Sequence, residues 1–211
     1  MTQLEKVLQA LTLQHGDPQP PYRTVFELVM WENAGYLVDD TRRDDIMRGF
    51  PNLSPDGLLS TPFETLLQLA ARGGMRPQAR IDHWLEIATL ARDLPAQPTR
   101  RDLKRFPGIG DPGVDKLLLF TGRQPILALD SNALRVLLRL GYGEEDKNYP
   151  ATYRSVQKAA QAELPRDCPT LTSASLVLRR HGQSLCRRTS PQCALCPVTA
   201  LCAYSVPKRA R

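Results

Sequence analysis

The chain has 211 residues, 42% of them hydrophobic, and 28 Lys and Arg against 22 Asp and Glu give it a net charge of +6. That is enough apolar material for one compact domain or two small interdigitated ones, and the positive excess leans weakly towards a polyanionic partner. No apolar run approaches the ~18 residues of a membrane span, and "MTQLEKVLQALTLQHG" lacks the basic start and apolar middle of a signal peptide, so the expectation is a cytoplasmic chain with reduced thiols.

In chain order, Thr2 and Glu5 form a capping box for a first helix, with Leu4, Val7, Leu8 and Leu11 on one face and Gly16 as its stop. The segment 24–40, "TVFELVMWENAGYLVDD", is apolar on most sides and belongs at the centre of a core. Thr61-Pro62-Phe63-Glu64 caps a helix carrying Phe63, Leu66, Leu67 and Ala70, which stops at Gly73-Gly74. Residues 78–94 repeat the pattern through Ile81, Trp84, Leu85, Ala88 and Ala91, and apolar stripes return at about 131–141, 151–163 and 170–182. Sustained period-two alternation is missing, so the fold class is all-α.

Residues 106–120, "FPGIGDPGVDKLLLF", ask for closer reading. A short helix starting at Thr99, with Asp102 three residues on, runs to about Phe106, and Pro107-Gly108-Ile109-Gly110 turns the chain. Asp111 is a good N-cap, and Pro112 suits the first helical position, where a missing N–H costs nothing. Leu117, Leu118 and Phe120 bury the second helix, and Gly122 ends it. Amides at such a hairpin and helix start make a phosphate site, although the same turn also serves as a plain helix–helix connection.

Four of the five cysteines crowd the last 26 residues as C-x6-C-x2-C-x5-C: Cys186, Cys193, Cys196 and Cys202. In a reducing compartment this spacing points to a metal, and thiolate chemistry alone admits zinc or iron–sulfur; a disulfide pair is the alternative. Cys168 falls outside the pattern and reads as an ordinary buried or half-buried thiol.

"LKRFPGIGDPGVDKLLLFTGRQPILALDSNALRV" resembles the helix-hairpin-helix element and following aspartate of the endonuclease III family of DNA glycosylases. Phe106-Pro107-Gly108-Ile109-Gly110 matches the hairpin and Leu129-Asp130 the aspartate, without a gap between them. The cysteine spacing is similar to the family's 4Fe–4S loop, introduced by "RHGQSLC" at 180–186, and looser likeness covers most of 22–204. The resemblance implies two all-α lobes. One spans about 23–124 and carries the hairpin element at about 99–122; the other joins 1–22 to 125–211 and carries the cluster loop, 186–202. It also implies a monomer, associated with the nucleoid, that binds double-stranded DNA holding a damaged or mismatched base.

Roles follow position by position from the same resemblance. Gly108, Ile109 and Gly110 hold DNA, with a monovalent cation at the hairpin; Met75, in "GGMRPQAR", is the wedge that enters the stack; Arg187 and Arg188 face phosphates. Asp130 is the catalytic carboxylate, a role compatible with capping the helix that starts near Ser131. Family members that also cut the strand place a nucleophilic lysine two residues after the second hairpin glycine. That position is Pro112, so the expectation is a monofunctional enzyme using water. "LDSN", 129–132, resembles the Leu-Asp-Gly-Asn of the largely monofunctional adenine-mismatch glycosylases. Lys116, one turn further along the same face, is either a displaced nucleophile or an ion-paired lysine. Trp31, Glu32 and Asn33 lie where the family has a Gln-rich motif and form the candidate base pocket, with Trp31 either stacking on an extruded base or buried in the core. Glu27 takes no role by this comparison. Alkylated purines lead the candidate substrates, then mispaired or deaminated bases, then oxidised pyrimidines. A non-catalytic cluster protein that binds DNA on the same scaffold is the alternative, and the basic tail residues Lys208, Arg209 and Arg211 add nonspecific affinity at most.

Overall fold

The computed structural model describes residues 1–205; the tail residues Lys208, Arg209 and Arg211 lie outside them. Every regular element among the described residues is helical. The chain divides into two compact units, Pro21–Leu117 and Met1–Pro20 with Leu118–Arg211.

In the unit 21–117, α2 (Val25–Glu32) starts at a capping box in which Thr24 accepts from the Glu27 amide and Glu27 from the Thr24 amide. It ends at Glu32, so the apolar run expected over 24–40 is a helix followed by a loop rather than one element; Gly35 and the positive φ of Leu37, 55°, fall in that loop. Next come α3 (Asp40–Arg48), α4 (Pro55–Leu59) and α5 (Phe63–Arg72). Thr61 does not cap α5: its hydroxyl donates back to the Gly57 carbonyl at 2.8 Å, and Pro62 occupies the N-cap position. The longest helix of the unit is α6 (Pro77–Arg92), against which α2, α4 and α5 pack. Trp84 is its anchor, fully buried, edge-on to Phe50 at 5.0 Å, with its indole N–H donating to the Asn33 carbonyl at 3.1 Å. After α7 (Arg100–Leu103), shorter than the run expected from Thr99 to Phe106, the chain turns into α8 (Asp111–Phe120), and the boundary between units falls inside α8.

The other unit is built on α1 (Gln3–His15), α9 (Ser131–Leu140), α10 (Tyr149–Gln161) and α11 (Cys168–Ser184). Leu4, Val7 and Leu11 give α1 its buried stripe against α11; Leu134, Val136, Leu137 and Leu140 do the same for α9. Gly182 fixes how closely α9 and α11 approach, because a Cβ there would lie 2.7 Å from the Asn132 carbonyl oxygen. That contact brings Arg179 of α11 beside the start of α9. Two single turns of 3-10 helix, Cys193–Leu195 and Thr199–Leu201, shape the C-terminal loop.

Candidate functional site

The hairpin is a rigid object. Thr99 and Asp102 form a reciprocal capping box at α7, the amide of Ile109 returns to the Phe106 carbonyl at 3.2 Å, and the side chains of Phe106 and Ile109 are buried beneath the turn. Gly108 and Gly110 are exposed at its tip. Gly108 has φ of 71°, which a side chain would strain, and a Cβ there would press on Asn33 Oδ1 at 3.0 Å. Asn33 braces the turn from below: its Nδ2 donates to the Pro107 carbonyl at 3.0 Å and to the Val29 carbonyl at 3.0 Å. The helix that follows starts one residue earlier than its sequence implies. Asp111 is already helical, the Gly110 carbonyl accepts from the Val114 amide, and Pro112 therefore sits in the first turn, second in line. The Asp111 carboxylate is instead paired with Lys104 at 2.5 Å, and Arg100 reaches Asp115 at 2.7 Å.

Lys116 and Glu32 form an ion pair of 2.7 Å, mostly buried, within the same unit. Trp31 is 4% exposed, its indole N–H donates to Asp44 Oδ1 at 2.8 Å, and the Arg43 guanidinium lies over its ring at 4.9 Å. A ring held in this way packs in the core of the unit. Met75 is 68% exposed in a tight loop between α5 and α6, bordered by the exposed Leu37 and Tyr36, whose amide donates to the Gly73 carbonyl at 2.9 Å. Neither Tyr36 nor Leu37 stood out by spacing.

In the other unit Asp130 is the N-cap of α9. Its Oδ1 accepts from the amides of Asn132 (3.0 Å) and Ala133 (2.8 Å), while Oδ2 accepts from Arg179 Nε at 3.0 Å and from Asn132 Nδ2 at 3.3 Å. The carboxylate is thus fixed in orientation between a helix N-terminus and a guanidinium, both favourable to negative charge, and is neither fully buried nor freely exposed. Arg179 escaped the sequence reading; the signal available was an arginine closing the apolar run "SLVL" three residues before the close-packed Gly182.

Cys186, Cys193, Cys196 and Cys202 line one pocket in this unit, with Arg139 and His181. Arg139 Nη1 stands 3.3 Å from Cys186 Sγ and donates to the Arg187 carbonyl at 2.7 Å; Arg135 donates to the carbonyls of Cys186 and Gly182. The buried His181 lies 3.5 Å from Cys196 Sγ and 3.0 Å from His15; burial first, then the neighbouring His15, pushes its pKa down to about 4. Burial also raises the Cys196 thiol. Among the described residues no three His, Cys, Asp or Glu side chains converge as a single ion requires. Four thiols lining one pocket, with a cation at one of them, are a donor set suited to a soft metal. Arg187 and Arg188 are exposed beside the pocket, and Cys168 opens α11 outside the set.

No family model matches the chain. A thymine-DNA glycosylase of Aeropyrum pernix is 26% identical over 200 residues, 90% of this chain and 88% of that protein. A thymine/uracil-DNA glycosylase of Pyrobaculum aerophilum is 32% identical over 102 residues, 48% and 44% of the two lengths. Among solved structures, a trapped endonuclease III–DNA covalent intermediate superimposes with a TM-score of 0.76 over 97% of both chains, at 20% identity. The chain shares the fold of the endonuclease III structures and is similar in sequence to DNA glycosylases. The hairpin at 106–110 lies in the unit 21–117 and Asp130 in the other unit. None of the helices among the described residues is long and apolar enough to cross a membrane.

Proposed function

We propose that the chain is a monofunctional DNA glycosylase that releases a mismatched or deaminated base from duplex DNA, using water and Asp130. The observation that carries this reading is the setting of Asp130, a carboxylate locked in place by two helix amides and Arg179, combined with a proline where strand-cutting relatives need a lysine. In the reaction, the bond between base nitrogen and sugar breaks and its electron pair leaves with the base, which takes up a proton. Positive charge grows on the sugar, a fixed carboxylate stabilises it, and water adds at the vacated carbon and gives up a proton. The hairpin tip and the exposed Arg187 and Arg188 hold phosphates, Met75 wedges the stack, and a monovalent cation at the hairpin belongs to the same reading.

Mispaired and deaminated bases move ahead of alkylated purines. Relatives with thymine and uracil in their names support the former, and Trp31, 4% exposed, offers little of the open stacking surface that favoured the latter. The four cysteines would hold a 4Fe–4S cluster, which supplies a structural clamp for a loop with little core of its own; Arg139 would offset part of the thiolate charge. Lys116 is engaged by Glu32, which supports an ion-paired role over that of a nucleophile.

The test is base release from duplexes carrying G·T, G·U, alkylated, oxidised and adenine-mismatched pairs, each read with and without alkali. The expected result is release at G·T or G·U whose strand breakage needs alkali, and its loss by about 10²-fold or more in Asp130→Asn with duplex affinity retained. Strand breakage without alkali, together with a borohydride-trapped adduct lost in Lys116→Ala, would replace this reading by a lyase. Silence across the panel from protein that binds DNA would leave a non-catalytic binder.

A further inference from the structure

Arg80 is 7% exposed although it carries a full charge, and it lies in the first turn of α6, where the helix dipole disfavours a cation. What it gains is a cage of carbonyls. Its Nη1 donates to the Ala70 oxygen at 2.7 Å and more loosely to Gly74 at 3.4 Å; its Nη2 donates to Gly73 at 2.7 Å and Met75 at 3.0 Å. One planar guanidinium thus joins the C-terminal turn of α5 to every residue of the loop up to the exposed Met75. The loop has little freedom left. Gly74 has φ of 91°, Arg76 is left-handed at φ of 60°, and a Cβ on Gly73 would lie 2.5 Å from the Ala34 carbonyl oxygen and 2.7 Å from Arg80 Nε.

We infer that Arg80 is a positioning residue for base extrusion: it fixes the loop that presents Met75, so that the wedge enters DNA without first having to be ordered. This rests on the reading of Met75 as the wedge. A fork of five donors fits the four carbonyls of Ala70, Gly73, Gly74 and Met75; an ammonium at the same depth satisfies fewer and leaves the loop free to move. Ordering the loop on the DNA would then cost conformational entropy that the native loop has already lost.

The experiment uses the full chain and a duplex with 2-aminopurine beside a tetrahydrofuran abasic-site analogue, and reads both duplex affinity and the fluorescence rise on saturation. Wild-type protein should give a rise that Met75→Ala abolishes. Arg80→Lys, which keeps the charge, should cut the rise at least about threefold while affinity stays within about threefold, because misplacement of a positioned group weakens the step it serves more than it weakens binding. Circular dichroism confirms that the variant is folded at the temperature used. If Arg80→Lys does not fold, Gly74→Ala decides the matter, since it strains the same loop, with a Cβ 3.0 Å from the Tyr36 carbonyl oxygen, and leaves Arg80 in place. A wild-type rise from the folded loop variant overturns the inference while leaving Met75 as the wedge. A wild-type rise from Met75→Ala, or none from wild-type protein bound to the duplex, overturns the wedge reading and this inference with it.

Discussion

At the scale of single residues, the hairpin shows how one amide can set a loop. The Asn33 side chain joins α2 to the turn through the Pro107 carbonyl, and its backbone carbonyl accepts from Trp84 of α6, so three separate stretches of chain meet at one residue. Asn33→Ala leaves the Pro107 oxygen without this donor and should cost about 1–3 kcal/mol of stability. Duplex affinity, measured by anisotropy at fixed salt, should fall with the loosened hairpin, while the salt dependence stays as it was because no phosphate contact is removed. Unchanged affinity would mean that the turn keeps its shape through Phe106 and Ile109 alone. The family resemblance placed Asn33 in a candidate base pocket, at the Gln-rich motif; the direction of its amide, towards Pro107 and Val29, comes from the fold.

At the scale of elements, the caps carry the local order and a half-buried acid ties ends together. Glu163 accepts from the Leu4 amide at 2.8 Å and from the Tyr142 hydroxyl at 3.2 Å, and its carbonyl accepts from Thr2, pinning the start of α1 to the end of α10. Burial first, then Glu163, raises the Tyr142 pKa well above its ordinary value of 10. A raised tyrosine pKa favours the neutral phenol in the folded state, so the stabilisation is complete below pH 10 and is lost as the unfolded chain ionises above it. Denaturant titrations should therefore show wild-type protein losing stability relative to Tyr142→Phe between about pH 10 and 11, with a flat difference between pH 7 and 9. A flat difference through pH 11 would show the phenol to be unperturbed. The helices that escaped the sequence reading, α3 and α4, are the ones with little stripe to read: α3 buries only Ile46 and Met47, and α4 is a single turn and a half around Leu58.

For the molecule as a whole, the C-terminal loop is where a cofactor should matter most. Residues 186–205 contribute Val198 to the buried apolar set and otherwise lean on Arg135, Arg139 and backbone turns. On the proposal of a cluster at the four cysteines, a segment with so little core would depend on that group for order. Protein purified without oxygen should carry iron and sulfide with visible absorbance. Oxidative removal of the iron should make this loop the first site of protease cleavage, while the far-ultraviolet helical signal stays largely intact. A preparation carrying zinc, or a loop equally resistant without metal, would refute the assignment.

The sequence by itself determined what depends on neighbours in the chain. The capping boxes at Thr2 and Thr99, the apolar stripes of α1, α6 and α9, the glycines of the hairpin and the cysteine spacing are all written within a few residues, where geometry is fixed by covalent connection. The proline in place of a lysine is of the same kind. The tertiary structure alone decided which charges meet: Arg179 with Asp130, Lys116 with Glu32, Arg80 with the carbonyls below Met75. The first two join residues 49 and 84 apart. Arg80 is closer, and its helical register with Ile81, Trp84 and Ala88 placed it on the buried face of α6. The register gave no account of a cation there, because what satisfies a buried charge is the direction of distant or loop carbonyls, and only the folded chain sets that direction.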